Sequence, residues 1–394
     1  MNFLSVLPSL TPNVVPYQGV SRAPTIAILG TYPPTLCGLA TFSAALSEGL
    51  RVDGARVDVV RVADGSPGDG AGVVVGELVN GSPTSVAGAI EILNRSDVVI
   101  VQHEYGIYGG PDGDEIVDIV RGIRVPSIVV AHTVPKAPTS QQRWVLETLA
   151  AEADQVVVMT VAAHARLSQG YDIDRRKVTT IPHGATVAAQ VQVKRSGRPT
   201  VLTWGLLGPG KGIERVIDVM ASLSELPGRP RYLVAGRTHP KVLATDGESY
   251  REALLDRAKS LGIADSVSFD SSYRDGPALA AMVQSASVVV LPYDSADQIT
   301  SGVLVDAIAN GRPVVATAFP HAVELLGDGT GIVVSHDDTD ALRSALHMVL
   351  TQPRLSGHMA ARARLLAPTM AWPVVAKDYL LLAQRLCAKR SALV

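Results

Sequence analysis

The sequence has little cysteine, few aromatic side chains and no excess of charge of either sign. Its two cysteines, Cys37 and Cys387, lie far apart among 394 residues, so neither a disulfide framework nor a four-ligand zinc site is expected. Such sparse cysteine is typical of a reducing compartment, and we expect a cytoplasmic location. A formal net charge of -2 provides no basic field for phosphate backbones, which argues against nucleic acid as the main partner.

Long hydrophobic runs are missing as well. No apolar stretch approaches the roughly 18 to 20 residues of a membrane-spanning helix, so any contact with a membrane is expected to be peripheral. The first twenty residues lack a basic segment and are interrupted by Pro8, Pro12 and Pro16, which predicts a loose arm rather than a signal peptide. The length predicts two or three domains.

What the sequence does contain is a regular alternation of strands and helices. Runs rich in Val and Ile are apolar at consecutive positions, as strands covered on both faces require. In the first half the predicted strands are Thr25–Gly30, Arg56–Val62, Asp97–Gln102, Ser127–Ala131, Gln155–Met159 and Lys177–Ile181, and the predicted helices are Thr41–Val52, Ser85–Leu93, Gly113–Ile123 and Ser140–Ala151. In the second half the predicted strands are Thr200–Trp204, Arg231–Ala235, Ser266–Phe269, Ser287–Leu291, Pro313–Thr317 and Gly331–Val334, and the predicted helices are Gly212–Leu223, Tyr250–Leu261, Pro277–Ala286, Gly302–Ala309 and Asp338–Leu350.

This pattern predicts two doubly wound parallel-sheet α/β domains. The polar stretch from Thr186 to Pro199 interrupts the rhythm and predicts a linker, which gives domains over residues 1–190 and 191–370. An apolar helix over Trp372–Leu386, within residues 371–394, is expected to cross back to the first domain. Ligands of such sheets bind beyond the carboxyl ends of the strands, so the functional residues are expected in the loops that follow the strands.

The first candidate loop runs from Gly30 to Thr41 and contains Gly38. Glycine before a helix start offers free N–H groups to an anion or a sugar hydroxyl. The loop lacks the G-x-G-x-x-G spacing of a dinucleotide fingerprint. An ordinary helix start is the alternative interpretation.

The second candidate loop is Gly205–Gly212, which follows a predicted strand and contains Lys211. It almost matches the phosphate loop of nucleoside triphosphatases, but Gly212 stands where a magnesium-binding hydroxyl should be, so that activity is disfavoured. The loop predicts a site where an ammonium and backbone N–H groups bind phosphate, with a structural turn as the alternative.

The third candidate loop follows Tyr293 and ends at a predicted helix start of Thr300, Ser301 and Gly302. The unpaired N–H groups and the positive end of the helix dipole are suited to an anion. Asp306, about one turn later, is placed to accept two ribose hydroxyls. The alternative is that Thr300 and Ser301 are plain helix caps.

Histidines follow three of the predicted first-domain strands. Since His103, His132 and His183 all fall at the ligand-facing edge, at least one is expected to be functional. They lack close metal-ligand spacing. The Asp-x-Asp triplets at Asp112, Asp172 and Asp338 do not directly follow a strand, so no metal site is expected.

Together these loops resemble the retaining, nucleotide-sugar-dependent glycosyltransferases of family 4, which have the GT-B fold of two facing Rossmann-like domains. The resemblance extends from about Thr25 to Leu386 and is most specific over Leu291–Thr317. It implies a nucleoside diphosphate sugar donor, a glycan or glycolipid acceptor, an α-linked product and no cofactor or metal.

The resemblance also implies roles for individual residues. Lys211 would hold the donor diphosphate and His132 would contact the donor sugar near the reacting carbon, which makes these two the expected catalytic residues. His103, Glu104 and Tyr105 would face the acceptor. The expected donor-binding residues are Gly38, Gly205, Leu207, Lys211, Arg237, Tyr273, Gln298, Thr300, Ser301, Gly302, Val303 and Asp306.

Two positions depart from the family pattern. The family has two glutamates eight positions apart, and here these positions are Gln298 and Asp306, so the carboxylate toward the donor sugar is lost. The family's arginine five residues before the lysine is replaced by Leu206, and our hypothesis is that Arg237 supplies the missing charge. Transfer of mannose from GDP-mannose to a mannoside is the favoured function. The alternatives are a UDP-glucose-dependent glucosyltransferase, a GT-B-type sugar-nucleotide epimerase and a binding-only relic.

Overall fold

Two parallel β-sheets organise the chain. The computed structural model describes residues 24–66, 72–187, 197–272, 274 and 276–392. The expected loose arm and the predicted domain boundary at 190/191 lie outside these residues.

Within the described residues the first sheet has seven strands in the order β3-β2-β1-β4-β5-β6-β7, all parallel. Its register sets Ile26 opposite Val57 on one side and opposite Val98 on the other. The strands are β1 Thr25–Gly30, β2 Arg56–Val62, β3 Val74–Leu78, β4 Val98–His103, β5 Ser127–Ala131, β6 Gln155–Val158 and β7 Val178–Thr180.

The second sheet has six strands in the order β10-β9-β8-β11-β12-β13, again all parallel in the described part of the chain. The strands are β8 Thr200–Trp204, β9 Arg231–Ala235, β10 Val267–Asp270, β11 Val288–Leu291, β12 Val314–Thr317 and β13 Gly331–Val334. Both strand orders are those of doubly wound domains, which confirms the predicted fold class.

Helices cover both faces of each sheet. Those between first-sheet strands are α1 Gly38–Val52, α2 Pro83–Leu93, α3 Glu115–Gly122, α4 Ser140–Glu152 and α5 Val161–Gly170. The later ones are α6 Ile213–Leu223, α7 Pro240–Asp246, α8 Ser249–Ser260, α9 Gly276–Ser285, α10 Gly302–Ala309, α11 Pro320–Leu326, α12 Thr339–Thr351, α13 Pro353–Leu366 and α14 Trp372–Ser391.

Burial on both faces explains the consecutive apolar positions of the central strands. In β1, Ile26 and Ile28 pack into one apolar cluster, whereas Ala27 and Leu29 pack into a separate cluster on the opposite face. All four are fully buried. Alternate side chains of a strand point to opposite faces, so both sets must be apolar.

Strand β3 and helices α5, α7, α11 and α13 were not predicted. The exposed and half-buried positions of β3 alternate, because it is an edge strand, and it lacks the continuous apolar run that identifies interior strands. Helix α5 is capped in part by Glu324 of the second half, whose carboxylate accepts the N–H groups of Val161 and Ala162 at 2.9 and 3.0 Å. A contact between residues this distant is not visible in local sequence.

Helix α14 packs against the first domain. Ala185 pairs with the segment before α14, donating its N–H to the carbonyl of Met370 at 2.7 Å, and Tyr379 is fully buried in the same cluster as Ile26. A Cβ at Gly49 on α1 would lie 2.6 Å from the Cβ of Ala376, so only glycine permits this close approach of the two helices.

Candidate active site

The carboxyl ends of the central strands define the candidate site. The sheet order reverses between β1 and β4, and again between β8 and β11, and ligands of doubly wound sheets bind at such points. The loops that leave these strands are the three candidate loops of the sequence and the segment that starts at Glu104. The two loops of the second domain are joined, since Asp294 donates its N–H to the carbonyl of Gly210 at 3.0 Å.

The turn Gly205–Gly212 has a backbone that only glycine can adopt at its end. Gly212 has φ +64°, and a Cβ there would collide with the carbonyl oxygen of Pro292. A serine or threonine hydroxyl of the kind that binds magnesium in phosphate loops therefore has no room at this position. Leu207 is bound to the loop that follows β9, because it donates its N–H to the carbonyl of Arg237 at 2.8 Å.

Lys211 is part of the turn Gly205–Gly212, and its side chain contacts the other loop of the second domain. Its Nζ is 4.8 Å from the centroid of the Tyr293 ring, and the Tyr293 hydroxyl lies beside Ser301 at the start of α10. Burial lowers the pKa of Lys211. The ammonium therefore lies against the first residue of the loop that leads to α10, and its role in phosphate binding stays a prediction.

Arg215, which the sequence did not single out, fixes the same loops. Its Nη1 lies 2.5 Å from Asp294 Oδ1, and its other guanidinium nitrogen donates to the carbonyl of Pro292. Because Arg215 is in the first turn of α6, it ties the helix after the glycine-rich turn to the segment after β11.

The start of α10 exposes two backbone donors. Ser301 is the N-cap, and its Oγ accepts the N–H of Leu304 at 3.3 Å, while its own N–H donates to His321 Nδ1 at 2.8 Å. Among the described residues, the N–H groups of Gly302 and Val303 are left without an acceptor, as expected in a first helical turn. The Thr300 hydroxyl is buried and also has no hydrogen-bond partner within that part of the chain.

Two histidines of the first domain and Phe42 of α1 form an aromatic wall beside this helix start. The Phe42 ring lies 4.8 Å from that of His132 and 5.1 Å from that of His183, both edge to face. His183 Nε2 is 3.0 Å from the position that a Cβ of Gly302 would occupy. The wall and the helix start therefore meet across the domain boundary, and glycine at 302 leaves room for the imidazole.

The imidazoles around the site are neutral. Burial lowers the pKa of His132 to about 3, of His183 to about 4 and of His321 to about 3. His183 Nδ1 donates to the carbonyl of Gly184 at 2.7 Å, which leaves Nε2 as an acceptor. His132 Nε2 is 2.7 Å from Gln102 Oε1, and as the donor to that oxygen it keeps Nδ1 as an acceptor.

The remaining predicted donor residues lie in different settings. Burial raises the pKa of Asp306 to about 7. Gln298 donates from Nε2 to the carbonyl of Thr300 at 3.3 Å. Arg237 is exposed, with Nε 3.4 Å from the carbonyl of Ser271, so the structure places it on the rim of its own domain. A side chain at Gly38 would meet open space, and Tyr273 lies outside the described residues.

The predicted acceptor residues require a correction. His103 is completely buried and its ring lies edge to face against Tyr105 at 4.8 Å, so it offers no surface to an acceptor. Tyr105 is also buried, and its hydroxyl donates to the carbonyl of Gln142 at 3.1 Å. Glu104 is half-buried and accepts hydrogen bonds from Thr133 and from the N–H of Tyr105, so its acceptor role stays a prediction.

Lys241 of α7 approaches this segment from the second domain, which the sequence did not reveal. Its Nζ lies 3.4 Å from the position that a Cβ of Gly106 would occupy. Burial raises the pKa of Glu104, and the charge of Lys241 acts in the opposite direction. Lys241 therefore places a second-domain cation beside the first-domain segment that starts at Glu104.

Neither a metal centre nor a membrane span is seen in the described ranges. No group of three or more His, Cys, Asp or Glu side chains among those residues is arranged to hold a metal ion. None of the helices described there is both long enough and apolar enough to cross a bilayer.

Residues 186–366 match the model of the family described as glycosyl transferases group 1. This match covers the second domain. A D-inositol 3-phosphate glycosyltransferase of Actinosynnema mirum is 29% identical over 265 residues, covering 61% of this chain and 62% of that protein. An alpha-D-kanosaminyltransferase of Streptomyces kanamyceticus is 27% identical over 267 residues, covering 62% of this chain and 66% of that protein.

Solved structures share the fold over almost the whole chain. A sucrose-phosphate synthase from Thermosynechococcus elongatus has a TM-score of 0.75 at 18% identity, covering 93% of this chain and 99% of its own. HepE of Anabaena, solved in complex with UDP, has a TM-score of 0.74 at 16% identity, covering 92% of this chain and 100% of its own. The predicted GT-B architecture is confirmed. This chain spans less than two thirds of the length of the two curated relatives named above.

Proposed function

We propose that this protein is a nucleotide-sugar-dependent hexosyltransferase. The observation that carries the proposal is that the Lys211 ammonium lies over Tyr293, which begins the loop leading to α10, and that the N–H groups of Gly302 and Val303 at the start of α10 have no acceptor in the described part of the chain. A diphosphate group is the anion that such a combination suits. The group 1 match over the same domain supports it.

The reaction breaks the bond between the anomeric carbon and the diphosphate oxygen and forms a bond to an acceptor hydroxyl. Negative charge develops on the leaving diphosphate, and Lys211 with the two N–H groups would stabilise that charge where it appears. The proposal includes a retaining, same-face course, in which the departing phosphate oxygen takes the proton of the acceptor hydroxyl. The proposal needs no metal, because these protein groups supply the positive charge.

The neutral imidazoles fit contact with sugar hydroxyls. His132 Nδ1 and His183 Nε2 are hydrogen-bond acceptors beside the start of α10, where the sugar of a bound donor would lie. Asp306 lies on α10, and the resemblance implies that it would bind the ribose. Lys241 and Glu104 border the acceptor side.

We propose GDP-mannose as donor and a saccharide or glycolipid as acceptor, with UDP-glucose as the rival donor. Relatives named as D-inositol 3-phosphate glycosyltransferases make inositol phosphate an acceptor to include in a test.

The experiment pairs binding with product analysis. Calorimetry with GDP, UDP, GDP-mannose and UDP-glucose identifies the donor, and proton NMR of reactions with mannosides and inositol phosphate reports the product and its anomeric configuration, with and without EDTA. An α-glycoside formed equally in EDTA supports the proposal. An altered free sugar nucleotide would indicate an epimerase, and a lack of binding by all four compounds would contradict the assignment.

A further inference from the structure

We propose that Arg166 of the first domain is a positioning residue for the donor loop of the second domain, defined as Asp297–Ser301. The inference rests on the proposed function, because that loop leads directly into the start of α10. The loop is fastened mainly to the opposite domain rather than to its own.

The charged part of this attachment is a half-buried ion pair. Arg166 Nη1 forms an ion pair with Asp297 Oδ1 at 2.5 Å, and it donates hydrogen bonds to the carbonyls of Val134 at 2.9 Å and of Asp297 at 3.4 Å. The second carboxylate oxygen, Asp297 Oδ2, accepts the N–H of Lys136 at 3.1 Å. The Arg166 side chain is only 16% exposed, so water screens this pair less than it screens an ordinary surface pair.

The apolar part lies two residues further along the loop. Ile299 is 4% exposed and packs into a cluster of first-domain side chains that includes Val134 and Leu167. Its carbonyl accepts a hydrogen bond from Thr160 Oγ1 at 3.1 Å. With Asp297 and Ile299 both held by the first domain, the backbone of Gln298 between them is held as well.

Helix α5 is itself bound to the second domain. Both carboxylate oxygens of Glu324 accept N–H groups at its N-terminus, and Arg166 follows on the same helix. The position of the first domain and the shape of the donor loop are therefore coupled through one helix. Loss of the Arg166 contact would leave the Asp297 carboxylate held only by the N–H of Lys136, which would let Gln298 and the first N–H groups of α10 shift.

The test compares Arg166→Gln with Asp297→Asn, which breaks the same pair from the other domain, and with the double variant. Arg166→Lys tests rescue, since it retains the charge. Arg257→Gln is the matched control, because Arg257 forms an ion pair with Asp218 on the outer surface of the second domain. Calorimetry with UDP and GDP gives the affinity, and hydrogen exchange of the ligand-free protein reports the loop.

We expect Arg166→Gln and Asp297→Asn each to weaken nucleotide binding about tenfold, the double variant to be no weaker than either single one, and Arg166→Lys to recover part of the loss. Exchange should accelerate over residues 298–304, while Arg257→Gln changes neither readout. If the wild type binds a nucleotide and Arg166→Gln and Asp297→Asn bind it equally well, the inference is overturned and the proposed function stands. If the wild type binds neither nucleotide, both are overturned.

Discussion

Replacement of Asp306 by asparagine should change the stability of the protein in a pH-dependent way. Burial raises the pKa of this carboxyl to about 7, from an ordinary value of 3.8. At a pH between these two values, the Asp306 carboxyl is therefore protonated in the folded protein and ionised in the unfolded chain. A raised carboxyl pKa favours folding at low pH, and this advantage is lost as the pH rises from about 4 to about 7.

The size of the effect follows from the shift. Each pH unit in that range changes the free energy of unfolding by about 1.4 kcal/mol, so the two units between pH 5 and pH 7 amount to at most about 3 kcal/mol. Asp306→Asn has no such titration. Relative to Asp306→Asn, the free energy of unfolding of the wild type should fall by up to about 3 kcal/mol between pH 5 and pH 7. Above pH 7 the difference between the two proteins should stay constant.

Urea unfolding at half-unit steps from pH 5 to pH 8.5 measures the difference. Asp256→Asn is the control, because the Asp256 side chain is 73% exposed and lies in the same domain. Parallel stability profiles for wild type and Asp306→Asn across the whole range would refute the burial argument.

Three further substitutions probe the site and its support. Lys211→Ala should remain folded but lose about 2 to 4 kcal/mol of transition-state stabilisation, measured as a fall in kcat/KM. Replacement of the exposed Lys259 by alanine should leave kcat/KM unchanged, and near-normal turnover of Lys211→Ala would remove Lys211 from the mechanism. Gly212→Ala should lower the melting temperature and weaken nucleotide binding, because its Cβ would collide with the Pro292 carbonyl; unchanged melting would show that the turn relaxes freely. Trp372→Ala should lower the free energy of unfolding, measured in urea, by about 3 kcal/mol, because the ring loses its contact with Phe42 of the first domain. A loss below about 1 kcal/mol would show that the start of α14 contributes little to the stability of the first domain.

The parts of the fold that the sequence predicts are those encoded by local pattern. The consecutive apolar run of β1 identifies a strand buried on both faces, and the glycine-rich turn before α6 identifies the start of that helix, since both depend on neighbours in sequence. The anion site at Lys211 stays a prediction. Helix α5 and the full burial of His103 were not foreseen. Contacts with Glu324 and with the packed interior of the first sheet determine them.

The site residues divide into those with a local sequence signature and those without one. Thr300, Ser301 and Gly302 were predicted because a helix start has a local signature. Arg166, Arg215 and Lys241 were not, because their partners lie 131, 77 and more than 130 residues away along the chain. No periodicity or motif records a contact of that separation, and only the folded arrangement brings these side chains together.

The most direct test of the account is a crystal structure of the complex with whichever of GDP-mannose or UDP-glucose binds. We predict that the diphosphate lies within hydrogen-bond distance of Lys211 Nζ and of the backbone nitrogens of Gly302 and Val303. A diphosphate bound elsewhere, with the lysine and the helix start uncontacted, would contradict the central claim.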